Sequence, residues 1–531
     1  MQAPMHPSTN PTIERPPEQF NFAAHLLALN ASRAAKTAYI DDSRTMSYGE
    51  LASRVRRFAA ALPALGLRRE ERVLLVMQDC VDWPIAFLGC LYAGVVPVAV
   101  NTLLPAADYA WMISHSGARA VFTSMNLLPT VQAALAASGP LPVFVSDADA
   151  AALPAGSQPF AMLSDQGDEA ITAATTHRDD IAFWLYSSGS TGKPKGTVHT
   201  QGNLFMTTAT YGRHVLKLDE SDVTFSAAKL FFAYGLGNAL SFPLSVGATV
   251  VLLGSRPTAE AVFDKLTRHQ PTVFFGVPTL YALMLASPAL PARDALRLRR
   301  CTSAGEALPK DVGERFTAHY GAPILDGIGS TEMLHIYLSN SDEGLRYGSS
   351  GKPVPGYEIR LINEDGLPSA DGETGELQVR GDSAALMYWT NRDKSRATFI
   401  GDWLKSGDKY VRDAEGWYTY SGRADDMLKV SGQYVSPFEI ESGLMAHGAV
   451  LEAAVIGTLD AEGLTRCKAF VVLKDGHARS PDLCSELRSF LKARLAPHKV
   501  PRDLVLIDEL PKTPTGKIQR YKLREREAAK A

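Results

Sequence analysis

The chain has 531 residues, 46% hydrophobic and 21% charged, with a formal net charge of −3. That length is too great for one core and requires two or more domains; the near-neutral charge gives no basic footprint for nucleic acid. Five scattered cysteines (Cys80, Cys90, Cys301, Cys467, Cys484) include no Cys-x-x-Cys, which argues against a disulfide frame or a zinc site and suits reduced thiols in a cytoplasm.

Residues 1–17 are rich in proline and lack an apolar run, so they read as a loose tail and not as a signal peptide. Helical patterns between residues 20 and 65 flank a hairpin-like segment, Thr37-Ala-Tyr-Ile-Asp-Asp42. The longest apolar stretch, Ile85 to Val100, is interrupted by Pro97. It falls short of a bilayer span and predicts a buried helix running into a strand. Strands are predicted at 72–77, 96–100, 120–123, 142–146, 248–254, 272–275, 299–303 and 323–325, alternating with helices as parallel α/β layers do. From about Gly344 short alternating strands at 357–362, 375–380 and 416–420 lie between Gly, Asp and Asn turns and predict a compact β module. Beyond Asp425 helices at 436–447 and 482–495 enclose strands at 453–456 and 469–473. The expected architecture is α/β: a large domain, 18–424, of layered α/β subdomains plus the β module, then a small α+β domain, 425–531.

The strand-like run Ile181-Ala-Phe-Trp-Leu185 leads into Tyr186-Ser-Ser-Gly-Ser-Thr-Gly-Lys-Pro-Lys-Gly-Thr-Val-His-Thr200. Glycines let successive N–H groups converge on one anion, the hydroxyls of Ser187, Ser188, Ser190 and Thr191 add donors, and Lys193 and Lys195 supply charge. This composition suits a phosphate-holding loop; a solvated Gly/Ser connector is the plain alternative. The P-loop pattern fails, because Gly192-Lys193 is followed by Pro194 and Ser187 stands where the first glycine belongs.

Five further stretches carry polar groups at suggestive places. They are Ser303-Ala-Gly-Glu-Ala-Leu308, Asp326-Gly-Ile-Gly-Ser-Thr-Glu332, Ser406-Gly-Asp-Lys-Tyr410 with Ser421-Gly-Arg-Ala-Asp-Asp426, Lys429-Val-Ser-Gly-Gln-Tyr-Val-Ser-Pro-Phe-Glu439, and Thr515-Gly-Lys-Ile-Gln-Arg520. A Thr-Glu pair beyond a parallel strand lies where open α/β sheets place ligands, and Glu306 suits a helix start. Each stretch alone also reads as an ordinary polar loop, and 512–530 as a basic, solvated tail.

Together, in this order, they resemble the motifs of the adenylate-forming ligases: acyl-CoA synthetases, peptide-synthetase adenylation domains and luciferases. The resemblance implies ATP, Mg²⁺ and coenzyme A as reactants, and a mobile C-terminal domain turning about Asp425. It gives nucleotide contacts to Ser187, Ser188, Gly189, Ser190, Thr191, Gly192, Lys193, Lys195, Gly305, Glu306, Asp326, Thr331, Asp408 and Arg423. Glu332 would hold the metal, Lys517 would steady the forming adenylate beside Thr331 and Glu332, and Lys429, Ser431 and Gly432 would border the coenzyme A arm. The family's adenine-stacking aromatic is replaced by Ile328 here.

The acid pocket expected from the resemblance comprises Phe232, Ala233, Tyr234, Gly235, Gly327, Ile328, Gly329, His335 and Ile336. Residues 231–234 supply no acid to pair with a substrate amine, so amino acids are disfavoured. With the opening Asn21-Phe-Ala-Ala-His-Leu-Leu27, the chain resembles the benzoate–CoA ligases, implying an aromatic acid as substrate. A medium-chain or substituted-benzoate ligase, a loading module for a carrier protein and a P-loop-type NTP hydrolase are the alternatives. No nucleic acid or membrane partner is expected, and a monomer or homodimer suits the class.

Overall fold

The apolar runs assemble into two mostly parallel sheets. The computed structural model describes residues 13–187, 194–423, 426–430, 433–459, 465–512 and 518–529, with the backbone alone at 429, 433, 434 and 498. One sheet orders Met387–Tyr388, Lys195–Thr200, Ile181–Ser187, Val96–Ala99, Arg72–Val76, Val121–Ser124, Val143–Ser146 and Ser157–Pro159. The other runs Lys352–Pro353, Ile336–Ser339, Ile324–Gly329, Arg300–Ser303, Val273–Gly276, Val223–Ser226, Thr249–Val251, Thr37–Ile40 and Thr45–Ser47. The expected hairpin at 37–42 is present as the antiparallel pair closing that sheet.

The helix Asp82–Ala93 explains why the two sheets form one body. It is apolar on every side, and all its residues but the last are buried, as a helix enclosed by protein requires. Gly94 ends it at φ 73°, a left-handed conformation that glycine adopts without strain. Trp83, Ile85 and Phe87 share one core with Val73, Leu75 and Phe183 of the first sheet and Tyr39, Val250 and Leu252 of the second. A flanking helix, Tyr48–Ala61, starts at a Ser47/Glu50 capping box and buries Leu51, Val55, Phe58 and Ala59. A side chain on Gly89 would meet Phe58 Cδ1 at 2.4 Å, so the two helices touch through a bare backbone.

The β module pairs Glu358–Ile362, Thr374–Arg380, Trp403–Arg412 and Phe399–Ile400, with Tyr418–Arg423 added on Trp403–Arg412. Its Leu377, Val379, Leu404 and Tyr410 join the core beneath Leu325 and Tyr337, seating the module on the second sheet. The last segment forms the sheet Val450–Leu459, Thr465–Leu473 and Asp503–Leu506 with helices Pro437–Met445, Pro481–Lys492 and Arg520–Ala528. The fold is thus a large mixed α/β body with a small C-terminal domain. Among the described residues no helix is long and apolar enough to cross a membrane.

Three local expectations are corrected. The strand expected at 323–325 runs on as Ile324–Gly329, because Ile336–Ser339 returns antiparallel and pairs with its second half. The helix after Ser303 begins only at Lys310; Gly305, at φ 93°, first turns the chain. The strand expected at 416–420 is shifted to Tyr418–Arg423, since Gly416 at φ 80° belongs to the preceding turn.

Candidate active site

Two strand ends face one another across the site. Ile324–Gly329 pairs parallel with Arg300–Ser303 and then antiparallel with Ile336–Ser339, with a bulge between Ile328 and Gly329. The chain between these strands therefore makes a tight reversal carrying Thr331, Glu332 and His335. The reversal needs bare backbone: a Cβ on Gly329 would lie 2.5 Å from the His335 carbonyl oxygen. Opposite it, Ile181–Ser187 and Lys195–Thr200 form an antiparallel pair whose last partners are Ser187 and Lys195.

Glu332 is the meeting point of these ends. Its Oε1 accepts from Tyr388 OH at 2.7 Å and Ser187 Oγ at 3.3 Å, with Lys195 Nζ 3.6 Å away. Burial works to raise the Glu332 pKa, but the Lys195 charge and the two hydroxyls outweigh it and hold the carboxyl below its usual range. Burial likewise drives the Lys195 ammonium down, opposed by Glu332. A charged carboxylate is thus fixed at the mouth, an oxygen ligand of the kind hard cations take.

Thr331 is held from behind. His199 is buried in the strand Lys195–Thr200 and stacks on Phe183 at 5.1 Å between centroids. Its Nε2 donates to the Thr331 carbonyl at 2.8 Å, while Nδ1 lies 3.1 Å from Asn203 Oδ1. Burial pushes its pKa down to about 4, so the ring is neutral. Asn203 in turn accepts from Thr200 N–H at 2.9 Å and donates to the Asp382 carbonyl at 3.0 Å.

Of the expected acid-pocket residues, Tyr234 packs on the His335 ring and Gly329 lies against the His335 carbonyl. Ala233–Leu236 is one helical turn after Phe232, continued by the π-helical turn Gly237–Ser241, a geometry often found at functional sites. His335 packs its ring 5.5 Å from Tyr234, 4.9 Å from Tyr211 and 4.5 Å from Phe242. Its Nε2 faces the Tyr234 carbonyl at 3.3 Å and Asn238 Oδ1 at 3.2 Å, both acceptors. The ring proton therefore sits on Nε2, and Nδ1 is a bare acceptor with no partner among the described residues. Burial pushes the His335 pKa to about 3, keeping the ring uncharged.

Tyr234 OH is 2.5 Å from Thr302 Oγ1. A side chain on Gly235 would meet the Lys229 carbonyl oxygen at 2.0 Å, and one on Gly327 the Leu338 carbonyl oxygen at 2.6 Å, so both glycines serve close backbone approach. Ile336 is buried in the core with Phe242 and Met333, Ile328 packs against the same core, and Phe232 lies half-buried against the first.

The described residues expected to face the nucleotide are each held by a local partner. Asp326 is buried, and burial pushes its pKa up to about 8. Its Oδ2 accepts from Leu308 N–H at 3.4 Å, so the carboxyl braces the Ser303–Leu308 turn from within. Glu306 accepts from Thr279 Oγ1 at 3.4 Å. Asp408 follows Gly407 (φ 77°) and pairs with Arg423 Nη1 at 3.0 Å across the antiparallel strands that carry both. Asp426 is gripped by Arg524 at 2.9 Å and Arg520 at 3.9 Å; Arg520 also binds Glu441 through both carboxylate oxygens. Ser188, Gly189, Ser190, Thr191, Gly192, Lys193, Asp425, Ser431, Gly432 and Lys517, and the Lys429 side chain, lie outside the described residues.

Sequence reasoning gave no role to His199, Tyr388, Asn238 or Tyr211. His199 lay inside the phosphate-loop stretch, four residues before Asn203, and that spacing next to a helix start was the available signal. Tyr388 stands in no motif read above; only strand pairing brings it to Glu332.

Comparison with known proteins agrees with this geometry. Residues 28–389 match the AMP-binding enzyme family and 439–517 the AMP-binding enzyme C-terminal domain. The chain is 54% identical over 523 residues to a benzoate–CoA ligase of Thauera aromatica, covering 98% of each. It is 59% identical to a crystallised benzoate CoA ligase from Burkholderia xenovorans LB400, at TM-score 0.90 over 95% of this chain and 100% of that one. An anthranilate CoA ligase solved with anthranoyl-AMP shares 39% identity at TM-score 0.93, over 97% of this chain and 99% of that one. From the paired strand ends to the small C-terminal domain, the chain belongs to the AMP-binding enzyme family, among the adenylate-forming acid–thiol ligases and alongside those that act on benzoate.

Proposed function

We infer that the protein activates benzoate, or a close aromatic relative, with ATP and passes the acyl group to coenzyme A, releasing AMP and pyrophosphate. The observation that carries this reading is the uncharged acid wall. His335 is buried among Tyr211, Tyr234 and Phe242 and is neutral, and Ala233 and Tyr234 bring no acid. An ammonium would find no anionic partner there, whereas ring faces suit a flat aromatic acid. The named activity of the Thauera aromatica relative, 54% identical, supports the same substrate.

The acid carboxylate attacks the α-phosphorus of ATP, forming the acyl–phosphate bond and expelling pyrophosphate; the coenzyme A thiol then attacks the acyl carbon, expelling AMP and losing its proton to solvent. Ser187 and Lys195, at the stems of the glycine-rich loop, are placed to receive phosphate oxygens. Thr331 presents its hydroxyl beside the α-phosphate from a backbone that His199 fixes, and Asp408 offers two carboxylate oxygens to the ribose. Glu332 fits Mg²⁺, as a charged carboxylate with one oxygen held by donors. When bound, that ion offsets phosphate charge. Lys517 bridges carboxylate and α-phosphate in the first step, by family resemblance. Units 18–424 and 425–531 turning about Asp425, and a cytoplasmic setting, complete the proposal.

Pyrophosphate release measured across benzoate, substituted benzoates, octanoate and amino acids tests this reading. Benzoate should head the panel; release with amino acids alone, or ADP as the sole nucleotide product, would overturn it.

A further inference from the structure

The Glu332 network contains a member that no motif above assigns. Tyr388 lies on Met387–Tyr388, which pairs antiparallel with Lys195–Thr200 in the register Met387 to Val198 and Tyr388 to Thr197. Leu386 N–H and Trp389 N–H bond the carbonyls of Val198 and Gly196 at 2.9 and 2.8 Å. Tyr388 N–H bonds Ser395 Oγ at 3.0 Å, and its ring packs 5.4 Å from Phe399. The side chain is buried and has one place to go. Its hydroxyl donates to Glu332 Oε1 at 2.7 Å and accepts from Lys195 Nζ at 3.3 Å, while that ammonium lies 4.4 Å from the ring centroid.

We propose that Tyr388 is a positioning residue for the metal–nucleotide half of the site, holding Glu332 by Oε1 so that Oε2 is turned to the cation and Lys195 is released to phosphate. This rests on the reading of Glu332 given above. The hydroxyls of Tyr388 and Ser187 both donate to Oε1, and Lys195 lies 3.6 Å from the same oxygen. The asymmetry matters because Lys195 has two anions within its reach once a nucleotide arrives. Were Lys195 the main partner of Glu332, its departure would strand a buried carboxylate oxygen, and its staying would neutralise a metal ligand. Tyr388 supplies a neutral donor that remains in place, while its ring face steadies the ammonium without fixing it. Such outer partners orient the residues that touch a metal, and their loss typically weakens metal affinity by about 10- to 100-fold.

The test is Tyr388→Phe, which keeps the ring against Phe399 and removes only the hydroxyl. ATP binding is followed by calorimetry without acid or coenzyme A, once with Mn²⁺ and once with EDTA, and Mn²⁺ occupancy is read by electron paramagnetic resonance. The expected result is a Kd for Mn·ATP raised about tenfold, with metal-free ATP affinity and thioester formation from supplied acyl-AMP unchanged. Tyr388→His, which retains a ring and an N–H donor, should recover part of the loss and serves if the first variant is unstable. Unchanged Mn·ATP affinity in a folded variant, or an equal loss with EDTA, overturns the proposal. Should the unaltered protein release no pyrophosphate with any acid, the functional reading fails instead and takes this proposal with it.

Discussion

His199 Nε2 lies 2.8 Å from the Thr331 carbonyl oxygen, joining the strand that leaves the phosphate loop to the reversal that carries the Thr-Glu pair. The bond crosses from one sheet to the other. His199→Ala would free the Thr331 backbone and leave a buried carbonyl without its donor, a loss of about 1–3 kcal/mol. The expected outcome is a roughly tenfold fall in the rate of acyl-AMP formation, with the KM for benzoate little changed. Stopped-flow pyrophosphate release checks it; a rise in benzoate KM alone would contradict the assignment.

Both buried histidines shape the acid limb of stability. Their pKa values, about 4 for His199 and about 3 for His335, lie below the ordinary 6.5. Below about 6.5 the unfolded chain takes up protons that the folded chain refuses, so stability falls as pH drops toward those lower values. Thermal melts from pH 8 to pH 4 should show this decline, and His335→Gln should soften it.

Asp326 acts in the opposite sense. Its folded pKa of about 8 stands above the ordinary 3.8 because burial penalises the charged form. Between those values the folded chain keeps a proton that the unfolded chain has released, so stability falls as pH rises and levels off above about 8. Asp326→Asn removes this titration. The melting temperature of the variant relative to the parent should rise by several degrees between pH 5 and pH 8; a constant difference would refute the buried, protonated assignment.

Gly237 leaves room for His335 in the proposed acid wall. A Cβ there would meet His335 Cδ2 at 2.5 Å and Phe242 Cε2 at 2.8 Å. Gly237→Ala must push the imidazole or distort the π-helical turn, an overpacking of about 1–3 kcal/mol. Benzoate KM should rise about tenfold while ATP affinity measured without acid stays as it was.

Arg520 closes the small domain. It binds Glu441, whose Oε1 also accepts from Val455 N–H at 2.7 Å, and Glu441 is buried. Arg520→Ala leaves that carboxylate without its cation and should lower domain stability by about 3 kcal/mol, read as an earlier first transition in calorimetry.

Much of this was legible in the residues. Strand–helix alternation foretold parallel layers, and the texture change near Gly344 foretold the β module. Motif order pointed to Thr331, Glu332, Asp408 and Arg423, of which Glu332 meets Ser187 and Lys195, and Asp408 meets Arg423. What escaped was whatever depended on partners distant in sequence. Tyr388 and His199 meet Glu332 and Thr331 across 56 and 132 positions, and no local pattern encodes that. The strand past Leu325 was missed for a similar reason: its Asp-Gly-Ile-Gly composition reads as a turn until Ile336–Ser339 pairs with it.

The double grip of Arg520 and Arg524 on Asp426 has a mechanical side. Asp426 is the residue after the position around which the two units are proposed to pivot, while both arginines stand on the final helix, Arg520–Ala528. Lys512 is separately moored to Glu452 and bridges to Ile518. Asp426 and the final helix are therefore tied to one another by two ion pairs. A turn about the proposed pivot would carry the final helix along with the segment just past it.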